Sequence, residues 1–264
     1  MGIGARAIGS WVNTGSPALE PMDLDNWLAT SPRRLNRLAE ALGCKTYLEI
    51  GVSEGITFNA VNVETKTGVD PDFQFDWQAS HDGTNTRLLP LSSDAFFAQE
   101  PIESCFDLIF IDGLHTYDQT YRDLQNALLH SHPGTVILID DTIPFDAYSC
   151  CRDQDEAVQL RAQSTGITNA MWHGDTYKIM PLIHLFHTAY QYCTIVDQGN
   201  PQTILWRAKE PREVDELASM TTFWSLENLA ACDYLWMLRN PQIFNPVSEA
   251  EGLDRAAAGA SALY

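Results

Sequence analysis

Three aspartates and one histidine stand out by type and spacing. Asp112 and His115, three residues apart, follow the apolar run FDLIFI, and Asp140-Asp141 follow the run TVILI. If these runs are neighbouring parallel strands, their ends lie side by side and three carboxylates share one sheet edge. Such groups repel one another unless a cation joins them. Oxygen donors of this kind suit Mg²⁺ or Mn²⁺, with the other positions left to water and substrate, so Asp112, Asp140 and Asp141 form a candidate metal set. The same residues have a plainer use, with Asp112 packed beside a bound cofactor and Asp140-Asp141 capping a loop or binding substrate directly. His115 is a candidate general base, because an imidazole with a pKa of about 6.5 is available near neutral pH. Taking a proton from an alkyl hydroxyl with a pKa of roughly 15.7 is uphill by about 12 kcal/mol, and a phenol near 10 costs about 5 kcal/mol. An imidazole alone serves the phenol, whereas the alkyl alcohol calls for a metal. Its alternative role is a helix-entry residue bonded to backbone.

Positioning these groups requires strands. Thr46–Ile50, Thr67–Val69, Phe106–Ile111 and Thr135–Ile139 are short, rich in β-branched or aromatic residues, and separated by helix-like stretches. Ser31-Pro32 starts one such stretch, Leu35, Leu38, Ala39 and Leu42 recur at helical spacing, and Gly43 stops it. Tyr117, Tyr121, Leu124 and Leu128 form a second stripe, ended by Pro133-Gly134. Alternation of this sort gives right-handed crossovers and a parallel sheet covered on both faces. Later, Tyr192–Val196 and Thr203–Trp206 flank the turn-rich DQGNPQ, which predicts a hairpin. The expected fold is therefore α/β. Residues 1–30 read as an arm or lid, 31–210 as the principal domain, and 211–264 as a helical extension ending in a loose Ala/Gly/Ser-rich tail beyond Pro246.

Composition narrows the partners. The 264 residues carry 16 Lys+Arg against 35 Asp+Glu, a net charge of −19, with no basic run to reverse it locally. Phosphate backbones and anionic lipid are repelled, so neither nucleic acid nor membrane is an expected partner. No apolar run approaches a membrane span, and the first residues lack the pattern of a signal peptide, which makes the cytoplasm the expected location. Six cysteines without a C-x-x-C pair read as free thiols. Trp224 and Trp236, with apolar neighbours, fit either the core or a seam between copies in a homo-oligomer.

Ligands of an open α/β sheet bind beyond the carboxyl ends of its strands. The first strand runs into Glu49-Ile50-Gly51-Val52-Ser53-Glu54-Gly55, where two glycines make a tight strand-to-helix turn, and the second ends at Asp70, placed to meet a ribose diol. A dinucleotide fingerprint needs glycine where Ser53 and Ile56 stand. Here the sequence resembles the class I S-adenosylmethionine-dependent methyltransferases over roughly residues 44–207. YLEIGVSEGITF is similar to their motif I, KTGVDPD to the acidic end of strand two, and LSSDAFF to the adenine-contacting segment. FDLIFIDGLHTYDQTYRDL resembles a subgroup with an I-D-G-x-H-x-Y signature.

The resemblance implies a doubly wound, mostly parallel seven-stranded sheet with an antiparallel last strand. It implies that Glu49, Gly51, Ser53 and Gly55 hold the methionine part of the cofactor, Asp70 the ribose, and Ser93 and Asp94 the adenine edge. Ser53 departs from the family, which carries glycine there. In the catechol-type O-methyltransferases, Asp112, Asp140 and Asp141 correspond to an Asp, Asp, Asn metal set, and His115 stands where those enzymes place a lysine base. Similar sequences carry W-x-G-D-x-x-K where this chain has Trp172, Asp175 and Lys178, the candidate substrate contacts; a loop with a buried Trp and a surface ion pair is the other reading. Two rival functions remain at this point, a nicotinamide-dependent oxidoreductase on the same type of sheet and an inactive binding protein. The leading expectation is O-methylation of a small hydroxylated molecule.

Overall fold

The computed structural model describes residues 28–80, 85–213, 228–229 and 231–263. The expected arm up to residue 27, and Phe223, Trp224, Leu226 and Ala230 of the expected C-terminal helix, lie outside the described residues.

Helix α1 (Thr30–Leu42) begins one residue before the expected cap and ends as expected at Gly43, whose φ of +64° turns the chain away. There follow β1 (Thr46–Ile50), α2 (Ile56–Ala60), β2 (Thr65–Val69), β3 (Thr86–Leu89), α3 (Ser93–Phe97), β4 (Phe106–Ile111), α4 (Tyr117–Leu129), β5 (Ser131–Ile139), α5 (Gln154–Thr165), α6 (Ile179–Phe186), β6 (Tyr190–Ile195), β7 (Gln202–Arg207), α7 (Tyr234–Arg239), β8 (Pro246–Val247) and α8 (Glu249–Ser261). One eight-stranded sheet has the order β3-β2-β1-β4-β5-β7-β6-β8. Strands β1 to β5 are parallel, and β7 runs antiparallel between β5 and β6, so the predicted hairpin is present. The extra strand beyond the expected seven is β8, two residues pairing with β6, too short to leave a pattern in the sequence. Pro133-Gly134, expected to separate helix from strand, lies inside β5 where its pairing with β4 shifts register, an irregular position that tolerates proline.

Alternate residues of each strand feed two cores. On one face Leu48, Ile50, Ile109, Ile111, Ile137 and Ile139 pack with Leu124 and Ala127 of α4 and Ile179, Met180 and Ile183 of α6. On the other, Tyr47, Leu108, Phe110, Val136 and Leu138 pack with Leu35 and Leu38 of α1 and Leu253, Ala256 and Ala260 of α8. The tail read as loose is thus an ordered helix. Its small residues permit close approach: a Cβ on Gly259 would lie 2.1 Å from the Trp206 ring nitrogen, and one on Gly252 2.9 Å from Ile195. Composition alone signals looseness, whereas the exposed face of β6 and β7 needs a thin cover. No helix among the described residues is long and apolar enough to cross a membrane.

The register sets up the site. Leu89, Val69, Ile50, Ile111 and Ile139 form one row across five parallel strands. One step beyond this row come Asp70, Gly51, Asp112 and Asp140, each held by a backbone bond from its N–H to a neighbouring strand.

Candidate active site

Above the row opens a cleft of about 610 Å³ bordered by Glu49, Gly51, Ser53, Asp70, Ser93, Asp94 and Asp112, a size suited to a nucleoside cofactor. The β1–α2 loop forms its floor. A Cβ at Gly51, where φ is +87°, would lie 1.8 Å from the Asp112 carbonyl oxygen, so only glycine lets the loop cross the end of β4. Ser53, the departure from the glycine pattern, nevertheless takes the left-handed backbone that glycine favours, with φ +46°. Asp70 pins this loop: its Oδ2 accepts the N–H groups of Val52 (2.9 Å) and Ser53 (2.8 Å), and its Oδ1 that of Asp72 (2.7 Å). Of roughly four lone-pair positions on a carboxylate, three are used. Glu49 is buried and accepts a bond from the Tyr47 hydroxyl at 2.5 Å; burial holds its carboxyl well above the usual range, opposed by that bond and reinforced by Asp112.

At the far end Ser93 and Asp94 open α3, and Gln119 of α4 ties them to a third residue, donating to Ser93 Oγ (3.1 Å), Asp94 Oδ1 (3.2 Å) and Asp123 Oδ1 (3.0 Å). Gln119 and Asp123 also border the cleft and were not singled out in the sequence. Burial pushes the Asp123 carboxyl up, against the bonds from Ser93 and Gln119. The i,i+4 spacing of a Gln and an Asp on the helix after β4 was the available signal.

A second recess of about 280 Å³ adjoins the first and shares Asp112, His115 and Asp140 with it; Asp141, Trp172, His173 and Asn200 complete its wall. His115 stands between two carboxylates, with Nε2 3.3 Å from Asp112 Oδ1 and Nδ1 2.9 Å from Asp141 Oδ2. Burial alone would lower its pKa, but the charges of Asp141 and Asp112 outweigh that and raise it well above the usual imidazole value. Burial would raise Asp141; His115 and His173 beside it hold it down at about 2. Asp140 is raised well above the usual range by burial and by the charges of Asp112 and Asp141. Asp141 has a φ of +57°, a conformation Asp tolerates better than most residues.

Only part of the expected metal set converges. The donor atoms that lie within 4.8 Å of one another belong to Asp112, His115 and Asp141. Asp140 borders the recess but turns to protein donors, accepting from the Asp141 N–H (2.8 Å) and from Asn200. Two residues in one tight turn, one of them left-handed, cannot present both carboxylates alike. Asn200, from the hairpin loop, bonds Asp141 Oδ1 as well (2.8 Å). That loop is held by Arg34, fully buried, which donates to the carbonyls of Asn200 (2.6 Å) and Asp197 (2.8 Å), to Gln202 Oε1 (2.8 Å) and to Glu249 of α8 (2.8 Å).

Residues 48–142, from β1 to just past Asp141, match a family model described as a methyltransferase domain. Over that stretch, which is about a third of the chain, the sequence is similar to methyltransferase domains. The sequence matches none of the curated proteins compared with it. Similar solved structures include one described as an O-methyltransferase from Klebsiella pneumoniae (17% identity, 76% of this chain and 88% of that chain, TM-score 0.44). Another is the O-methyltransferase TomG from Streptomyces achromogenes, in complex with SAM (14% identity, 78% and 99% covered, TM-score 0.44). With TM-scores this low, cofactor and acceptor have to be read from the residues themselves.

The remaining candidates divide. Trp172 does wall the smaller recess, its ring stacked on His115 at 4.9 Å and its Nε1 donating to the Cys151 carbonyl. Asp175 and Lys178 border neither recess and pair with each other at 3.2 Å. Asp175, 1% exposed, also accepts the N–H that opens α4 at Tyr117 (2.9 Å) and pairs with Arg152 (3.3 Å). They brace the start of α4 and do not border the recess. Gly174 explains why the segment is tight, since a Cβ there would meet the His115 carbonyl at 1.6 Å. His173, next to Trp172 in sequence, was overlooked, as was Asn200; both line the recess. His184 and His187 bond Tyr192 and Tyr121 hydroxyls, as structural residues do. All six cysteines are free.

Proposed function

We propose that the chain is an S-adenosylmethionine-dependent O-methyltransferase acting on a small hydroxylated molecule, of sugar or natural-product type, aided by a divalent cation. The charge of the larger cleft carries this reading. Glu49, Glu54, Asp70, Asp94, Asp112, Asp123 and Asp140 border it, and among the described residues no Lys or Arg does. A dinucleotide's pyrophosphate is repelled by such a surface, and a sulfonium is attracted. The nicotinamide alternative is thereby disfavoured. When bound, the sulfonium supplies an already activated methyl group.

The chain's own part is binding and placement. Glu49, Gly51 and Ser53 border the methionine end, Gly55 does not line the cleft but turns the loop into α2 with φ +75°, Asp70 stands for the ribose while bracing the loop, and Ser93 and Asp94 offer polar atoms to the adenine edge. The acceptor enters the smaller recess against Trp172. In-line placement of the two reactants is worth up to about 7–11 kcal/mol. Asp112, His115 and Asp141 fit a cation: their donor atoms lie within 4.8 Å of one another and two of the three carry negative charge. A divalent cation there lowers the pKa of a hydroxyl. A ring nitrogen that serves as a ligand cannot also serve as the base, so the cation reading takes His115 out of the base role. Asp112 borders both recesses, so that this carboxylate would serve both the cation and the acceptor proton.

Calorimetry with S-adenosylhomocysteine and with NAD tests the cofactor; binding of the first and not the second is expected, and the reverse overturns the reading. Methyl transfer to polyhydroxylated acceptors should vanish on exhaustive chelation and return with divalent ion. Full activity after chelation would remove the metal.

A further inference from the structure

The donors at the β4–β5 corner are not all oxygen. His115 Nδ1 and Asp141 Oδ2 are 2.9 Å apart, and Nε2 is 3.3 Å from Asp112 Oδ1, so the imidazole shares the corner with both carboxylates. A nitrogen and an oxygen at about 3 Å have the spacing of adjacent vertices around an ion with ligand distances of about 2.1 Å. Behind Asp141 a second imidazole, His173, is 2% exposed, with Nε2 3.9 Å from Asp141 Oδ1 and Nδ1 unpartnered. Asp140, the carboxylate that would complete an all-oxygen set, is occupied by the Asp141 N–H and Asn200. Mg²⁺ demands an octahedron of oxygens, whereas imidazole suits later first-row ions.

We propose that this is a mixed nitrogen–oxygen site, with His115 as a direct ligand, which selects an ion of borderline softness such as Fe²⁺, Co²⁺ or Zn²⁺ over Mg²⁺; the proposal rests on the metal reading above. Asn200, bonded to Asp141 Oδ1 at 2.8 Å, orients a ligand from outside the shell. Asp112 and Asp141 supply the oxygens.

The test titrates metal-free full-length protein, with S-adenosylhomocysteine present, using Co²⁺ followed by visible absorption and Mg²⁺ followed by calorimetry. Co²⁺ should bind at least about 100-fold more tightly than Mg²⁺. Because many sites follow that order to some degree, variants decide. His115→Asn should weaken Co²⁺ by about 10-fold or more and Mg²⁺ by less than about threefold, and His115→Asp should narrow the gap between the two ions. Equal losses for both ions in His115→Asn, or Mg²⁺ within about tenfold of Co²⁺ in the unaltered protein, would overturn the proposal. Should the variants fail to fold, a paramagnetically shifted imidazole N–H signal in the unaltered Co²⁺ protein supports it, and absence of that signal sinks it. If no ion binds while S-adenosylhomocysteine does, the metal site falls and the methyltransferase reading stands. Ion binding without S-adenosylhomocysteine binding has the opposite meaning.

Discussion

Asp141 and Asp175 are both buried aspartates in contact with the loop that carries His115, and they live in opposite conditions. Asp175 has a backbone N–H, Arg152 and Lys178 around it, so its charge is met by fixed donors. Asp141 is left-handed, sits beside two other acids, and among the described residues meets imidazoles and Asn200 in place of a Lys or Arg. A satisfied buried carboxylate holds the chain together; one left among like charges is available to a ligand. The contrast separates scaffold from site more sharply than residue type does.

The strongest way to break the comparison is Asp112→Asn. Turnover should fall by about 10³-fold, near 4 kcal/mol of barrier, while the cation-free protein melts no earlier than the parent because one of three repelling acids is gone. Paired rate and melting measurements check this, and a large loss of stability with little loss of rate would reverse the assignment. Asp175→Ala should do the opposite. Uncovering Arg152, Lys178 and the start of α4 is expected to cost about 3 kcal/mol in denaturant unfolding, with S-adenosylhomocysteine affinity retained at low temperature. Gly259→Leu touches neither region. It forces α8 off Trp206 and should cost about 2 kcal/mol, without altering the relative affinities of the two ions.

The smallest effect concerns pH. Burial, aided by Arg212, lowers His184 to about 4. Its unfolded form takes up a proton near pH 6.5 and its folded form does not, so its contribution is fully present above about 6.5 and is lost as pH falls toward 4. Melting curves across that window should flatten at low pH in His184→Gln, and an unchanged slope would show that other groups govern it.

Four of the five parallel strands were legible because their apolar runs are short and bounded, and three of these are followed at once by an acid; β3, Thr86–Leu89, with a charged Arg87 in a run of four, was not. The glycine turn was legible too, and Ser53 shows why a single side chain did not betray it: the backbone keeps a glycine-like angle. The division of labour among acids was not legible. Asp140 and Asp141 are neighbours in sequence, and only the left-handed turn between strand and loop tells which one joins His115. Trp172 and Asp175 belong to one tight segment, yet the Gly174 turn sends the first to the recess and the second into the brace. Asn200 lies far along the chain in a loop that reads only as a turn. Pattern finds elements, but it does not show which way a loop returns.

Arg34 binds the fate of three remote stretches together: the first helix that carries it, the hairpin that bears Asn200, and the last helix that supplies Glu249. In any exchange of parts with a related enzyme these stretches form one cassette. A hairpin transplanted without its arginine and glutamate would arrive with Asn200 out of place, and the graft would be judged inactive for want of a distant partner.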